Sequence, residues 1–153
     1  MEKSASGTDI RTYLLALFRA NDNAPIEGHI MLMKQSFILF KEIVPALSEE
    51  AHFFPHQWGP YSNVVAEQIN AFVNQGYIRV YKEGRSEVFV LTEEGMRLAQ
   101  GTTQGIAGDI LQDISRMKRT TQEIGLKRVL RFVYSQYPQY SRRSRGKDAY
   151  VTR

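Results

Sequence analysis

Residues 74–95 read NQGYIRVYKEGRSEVFVLTEEG. Across 77–82 and again across 86–91, apolar and polar residues alternate, the period of a half-buried strand. Between the two runs, Glu83-Gly84-Arg85 supplies a short glycine-containing loop, so the pair reads as a β-hairpin. Upstream, Gly76 suits the left-handed position that closes a helix. Downstream, Thr92-Glu93-Glu94-Gly95 offers a capping hydroxyl and two acids for the positive start of another helix, which should reach about Gln100.

Working towards the N-terminus, Ser62 is placed to cap a helix over 63–75 whose buried stripe is Val65, Ile69, Phe72 and Val73. The segment 46–60 is irregular, with a short extended piece at 52–56 and a turn at Gly59-Pro60. Before it, residues 28–44 form a helix stopped by Pro45. Ile30, Met33, Phe37, Phe40 and Val44 share one face, and Leu32, Ile38, Leu39 and Ile43 make it apolar nearly all round. Such a helix belongs at the centre of a core. The first helix spans 8–20, capped by Thr8, with Ile10, Tyr13, Leu14, Leu17 and Phe18 on one face, and Asn21-Asp22-Asn23-Ala24-Pro25 ends it. Towards the C-terminus, 101–105 reads as a hinge. A fifth helix carries Ile106, Ile110, Ile114, Met117, Thr121 and Ile124 on one side, and Gly125 interrupts it. A sixth, over 126–137, buries Leu126, Val129, Leu130, Val133 and Tyr137 and leaves Lys127, Arg128 and Arg131 off the stripe. Pro138 ends it and a polar, basic tail follows.

Three helices, a two-stranded hairpin and a helix are the element order of a winged-helix domain, with 63–75 in the recognition-helix position and the hairpin as wing. The expected fold is therefore mainly α with one β-hairpin (α+β), a winged helix-turn-helix-like domain with a C-terminal helical extension. Its expected divisions are a body over 1–103, the extension over 104–140 and a basic tail over 141–153.

Three short elements carry a narrower resemblance: Pro25-Ile26-Glu27-Gly28 followed by Lys34 and Phe37, Gly59-Pro60-Tyr61-Ser62 opening the third helix, and Tyr137-Pro138-Gln139-Tyr140 with Ser144 beyond it. In these the chain resembles prokaryotic winged-helix proteins of the YwgA type and, more distantly, Panacea-domain antitoxins. The resemblance implies a helical winged-helix scaffold rather than an enzyme. It also brings in a protein-binding role as an alternative, because Panacea-like proteins act by binding proteins.

Composition narrows the classes. The 153 residues include no cysteine, which removes disulfides, thiolate metal sites and cysteine nucleophiles. No apolar run approaches the roughly 20 residues of a membrane span, and the N-terminus does not read as a signal peptide. A cytoplasmic protein with no membrane partner is expected. No phosphate-binding loop or nucleophile elbow occurs. His52 and His56 have a helical ligand spacing, but Pro55 between them disfavours the helix and no third ligand is near in sequence. His29, on the core helix, reads as a capped or half-buried structural residue. No metal, cofactor or catalytic residue is expected.

The charge is divided along the chain. Residues 1–115 hold 9 basic and 14 acidic side chains, and residues 116–153 hold 11 basic and 2 acidic. A basic end on an acidic body suggests an anionic partner, DNA first; the competing reading is a solvated, solubilising helix and tail. Candidate nucleic-acid contacts are Asn63, Asn70 and Asn74 on the third helix, Arg79, Lys82 and Arg85 on the wing, and Arg128, Arg131, Arg142, Arg143 and Arg145 at the C-terminal end. The third helix offers no Lys or Arg, so nothing on it holds phosphates. Candidate partner contacts are Trp58, Tyr61, Tyr134, Tyr137 and Tyr140, because aromatic side chains anchor interfaces; the competing reading makes Trp58 a lid packed over the core and packs Tyr134 and Tyr137 on the body. The expected function is that of a small DNA-binding regulator. The alternative is an adaptor or antitoxin-like factor that binds a partner protein. Residues 106–137 suit a homodimer contact.

Phe72 sits in the middle of the third helix's stripe, so Phe72→Ala should cost about 3–5 kcal/mol. An unchanged thermal midpoint would contradict that placement.

Overall fold

The computed structural model of the chain describes residues 9–141. Helix α1, Ile10–Asn23, opens on Asp9, whose carboxylate accepts the Thr12 N–H at 2.9 Å. Asp9 thus does the capping expected of Thr8, which lies outside the described residues. The helical path ends at Ala20, and Asn21, Asp22 and Asn23 follow with φ of 59°, 55° and 60°. Asn and Asp tolerate this left-handed region better than other side chains do. They turn the chain into β1, Ile26–Glu27.

Helix α2, His29–Ile38, runs on into one π turn, Leu39–Ile43. Every residue from 31 to 40 is buried, which places α2 at the centre of the core as its all-round apolarity requires. A 3-10 turn at Pro45–Leu47 leads to the short α3, Ser48–Ala51. A two-stranded ribbon follows, β2 (Phe54–His56) with β3 (Gly59–Tyr61), and then α4, Asn63–Asn74. The hairpin is β4, Ile78–Glu83, with β5, Ser86–Leu91, paired from Ile78↔Leu91 to Glu83↔Ser86. Its loop is therefore Gly84-Arg85 alone, one residue tighter than expected, with Gly84 at φ 64°. β1 pairs with the other edge of β5, giving an antiparallel sheet of order β1-β5-β4. The chain is thus mainly α with a small antiparallel sheet. The sequence reading missed β1, because two residues show no alternation.

Helix α5, Glu93–Thr102, continues into a 3-10 turn, Thr103–Gly105, in place of the expected hinge. Thr92 Oγ1 accepts the Gly95 N–H at 3.0 Å and donates to the Gly76 carbonyl at 2.7 Å, tying the start of α5 to the end of α4. Gly95 leaves room there for the Tyr77 carbonyl, which a Cβ would strike. Helix α6, Gly108–Gln136, is broken at Gly125 (φ 86°, ψ 164°) and packs along α1 and α2. Among the described residues no helix is long and apolar enough to cross a membrane.

The stripe expected on the first half of α6 is corrected at two places. Ile124 is exposed, at 38%, while Lys118 is buried, at 0%. Lys118 Nζ donates to the Phe18 and Ala20 carbonyls at 2.9 Å each. A cation suits the carbonyls left open at a helix C-terminus, and the break at Gly125 turns Ile124 out of the packed face. A second cation, Lys34 of α2, is 2% exposed and donates to the Pro60 carbonyl at 3.0 Å.

Burial lowers both ammonium groups from the ordinary 10.5 to about 7. Above the folded value and below the unfolded one, the unfolded chain holds more protons, so stability rises with pH through roughly 7 to 10. Below the folded value both states are protonated and these lysines add no slope. Each contributes at most about 1.4 kcal/mol per pH unit. Burial also lowers His29, which titrates below this window, and raises Tyr13 and Tyr137, which titrate above it. Denaturant melts should show a rising midpoint across the window and a smaller rise in Lys34→Met. A flat wild-type profile would contradict the burial of these charges.

Candidate nucleic-acid interface

Helix α4 forms where Ser62 supplies its cap: Ser62 Oγ accepts the Val65 N–H at 3.0 Å, and the hydroxyl itself donates to the Ala51 carbonyl. Val65, Ile69 and Phe72 are buried on its inner face. Asn63, Glu67, Asn70 and Asn74 are exposed as expected, and Val64 between them is 41% exposed. The outer face is neutral to acidic, with amides but no cation.

The ribbon before α4 explains the Gly-Pro-Tyr-Ser element. Gly59 has φ 91°, and a Cβ there would lie 3.0 Å from Tyr134 Cε1 and 3.2 Å from Lys34 Cε. Pro60 supplies the carbonyl that Lys34 needs, and Ser62 the cap. Tyr61 is half-buried in a cluster of tilted rings, 5.0 Å from His56 and 6.2 Å from His29, and Trp58 is half-buried in the turn of the ribbon. His29, at the first turn of α2 and the surface end of the core helix, keeps part of its surface exposed while its ring is partly desolvated beside Tyr61 and Phe89. Among the described residues no group of three His, Asp or Glu could hold a metal ion.

On the hairpin, Arg79, Lys82 and Arg85 are all exposed. The Arg79 guanidinium lies 4.9 Å from the Tyr81 ring centroid. Lys82 stands opposite Glu87 in the ladder, yet neither Lys82 nor Arg85 forms an ion pair with a described residue. Both line a groove of about 740 Å³ whose other walls are the junction of β1 with α2 and the break in α6. Gln122, Gly125 and Leu126 form the α6 wall. One residue beyond it come Lys127 and Arg128, both exposed.

The C-terminal tyrosines face inward. Tyr134 is 3% exposed and Tyr140 8%. The rings of Tyr137 and Tyr140 each lie 5.0 Å from that of Phe37, edge to face. The Tyr137 hydroxyl donates to Glu42 at 2.8 Å, and burial together with that carboxylate pushes its pKa up to about 12. Arg131 is half-buried. Arg142, Arg143 and Arg145 lie outside the described residues. The structure therefore brings Lys82 and Arg85 of the hairpin into one groove with Gln122, Gly125 and Leu126 of α6, and neither Arg79, the amides of α4 nor the C-terminal tyrosines line it. The groove was not foreseen. Its sequence signal is Gly125, a helix breaker between Ile124 and Leu126 with Glu123 and Lys127 one residue further out. No family model matches the chain, and no curated protein matches it.

Two glycines test the local account. Gly59→Ala meets both a left-handed φ and filled space, so it should destabilise by more than about 1 kcal/mol. Gly101 lies inside α5 with nothing within 4 Å of a Cβ, and Gly101→Ala should stabilise by about 0.4–1 kcal/mol. Equal midpoints for the two variants in urea would contradict the packing described at Gly59.

Proposed function

We propose that this chain is a non-enzymatic winged-helix binding module, a small regulator that holds duplex DNA with its hairpin and the second half of α6 rather than with α4. The sheet order β1-β5-β4 and the position of α4 directly before the hairpin support the winged-helix assignment. The observation that carries the partner is the groove. Lys82 and Arg85 stand on one wall without an ionic partner among the described residues, and the other wall leads into Lys127 and Arg128. Lys127 and Arg128 are exposed there, and residues 126–141 contain no acid. Phosphate neutralisation supplies most of the affinity for a duplex, and it needs unpaired, solvated cations on neighbouring elements. The amides of Asn63, Asn70 and Asn74 can read adenine edges, but Glu67 among them repels the backbone.

A second reading, an adaptor or antitoxin-like factor, draws on one observation. The outer face of α4 combines the exposed Val64 with uncharged amides, a surface better suited to a protein than to a phosphate backbone.

Fluorescence anisotropy with a labelled duplex over a salt series separates the two. The DNA reading expects binding that weakens steeply with salt. It expects the pair Lys82→Glu and Arg85→Glu to lower the salt slope by about two units, and Asn70→Ala to act far more weakly. Absence of binding at low salt would overturn it in favour of a protein partner.

A further inference from the structure

The groove beside the wing is larger than a contact to one phosphodiester requires. Its volume, about 740 Å³, falls within the roughly 300–1,000 Å³ of pockets that enclose small molecules. Lys82 and Arg85, without an ionic partner among the described residues, line it from the hairpin, with Lys82 opposite Glu87 in the ladder. Glu27 and Glu87 offer exposed carboxylates along the β1–β5 edge. His29, close enough to Glu87 to feel its charge, presents its ring beside Phe89, with centroids 6.4 Å apart, and Leu126 of α6 also lines the groove. Gln122 is held in the far wall by its bond to the Pro25 carbonyl at 3.0 Å.

We infer that this groove binds a mononucleotide: the phosphate at Lys82 and Arg85, the sugar hydroxyls at the carboxylates, and the base against His29 and Leu126. Each assignment follows from chemistry. Ammonium and guanidinium groups take a phosphate by charge-assisted hydrogen bonds. Carboxylates accept from hydroxyls and would repel a second phosphate, which favours a single phosphate over a chain of them. An imidazole with an apolar neighbour gives a flat base a stacking surface. The site uses the same two cations as the duplex reading above, so the two ligands compete where both bind. The nucleotide-binding test itself does not depend on that reading.

Isothermal titration calorimetry of the full chain with adenosine 5′-monophosphate, adenosine and inorganic phosphate tests this. The expected result is saturable binding of the monophosphate with Kd of about 10 μM to 1 mM, and weaker binding of adenosine and of inorganic phosphate. The pair Lys82→Gln and Arg85→Gln should weaken it at least about tenfold. Arg97→Gln, exposed on α5 away from the groove, should leave it unchanged. A shift of the His29 imidazole resonances on adding the nucleotide to the wild-type chain locates the ligand without any substitution. Lack of saturable binding, equal affinity for inorganic phosphate, or an unmoved His29 overturns the inference. Duplex binding without nucleotide binding defeats this inference alone, and nucleotide binding without duplex binding defeats the other reading alone.

Discussion

A helix buried on every side constrains everything packed around it. From Met31 to Phe40 every residue of α2 and of the π turn that continues it is buried, yet the sequence places Lys34, Gln35 and Ser36 in that stretch. Each must find a partner within the protein, because an unpaired buried polar group is costly. Ser36 turns back to the Leu32 carbonyl at 2.9 Å, Gln35 reaches Thr121 Oγ1 at 2.8 Å, and Lys34 reaches the Pro60 carbonyl at 3.0 Å. The last two bonds fix the ribbon and α6 against the core. Lys118 adds a third tie, from α6 to the end of α1. Hydrophobic burial supplies the bulk of the driving force, and these polar ties select which surfaces meet.

That division explains why the exposed charge is available for binding. Lys34 and Lys118 are taken up by carbonyls and the C-terminal tyrosines by Phe37 and Glu42. Lys82 and Arg85 are left on the hairpin without ionic partners among the described residues. The basic character of the C-terminal quarter is thus smaller in effect than its residue count, since Lys118 lies inside. Of the cations that remain outward among the described residues, Lys82 and Arg85 line one groove, and Lys127 and Arg128 follow its α6 wall in sequence.

The helices, their caps at Ser62 and Thr92, and the hairpin were legible because each is a local matter of periodicity and short-range hydrogen bonds. The central position of α2 was legible for the same reason, from its all-round apolarity. Lys118 was not: at helical spacing it reads as a solvated charge, and only the end of α1, about a hundred residues away in sequence, gives it acceptors. β1 escaped because its two residues are strand only through pairing with Phe89 and Val88. Lys82 and Arg85 of the hairpin were legible as exposed cations. The groove they border depends on where the break at Gly125 falls against the hairpin, a long-range relation that no local pattern encodes. The inward-facing Tyr140 likewise owes its position to Phe37, far away in the chain.

Amide hydrogen exchange on the full chain, with and without a saturating duplex at low salt, addresses the central claim most directly. The account predicts new protection over 82–87 and 122–131, with 63–74 unchanged. Protection concentrated on 63–74, or none anywhere, would contradict it.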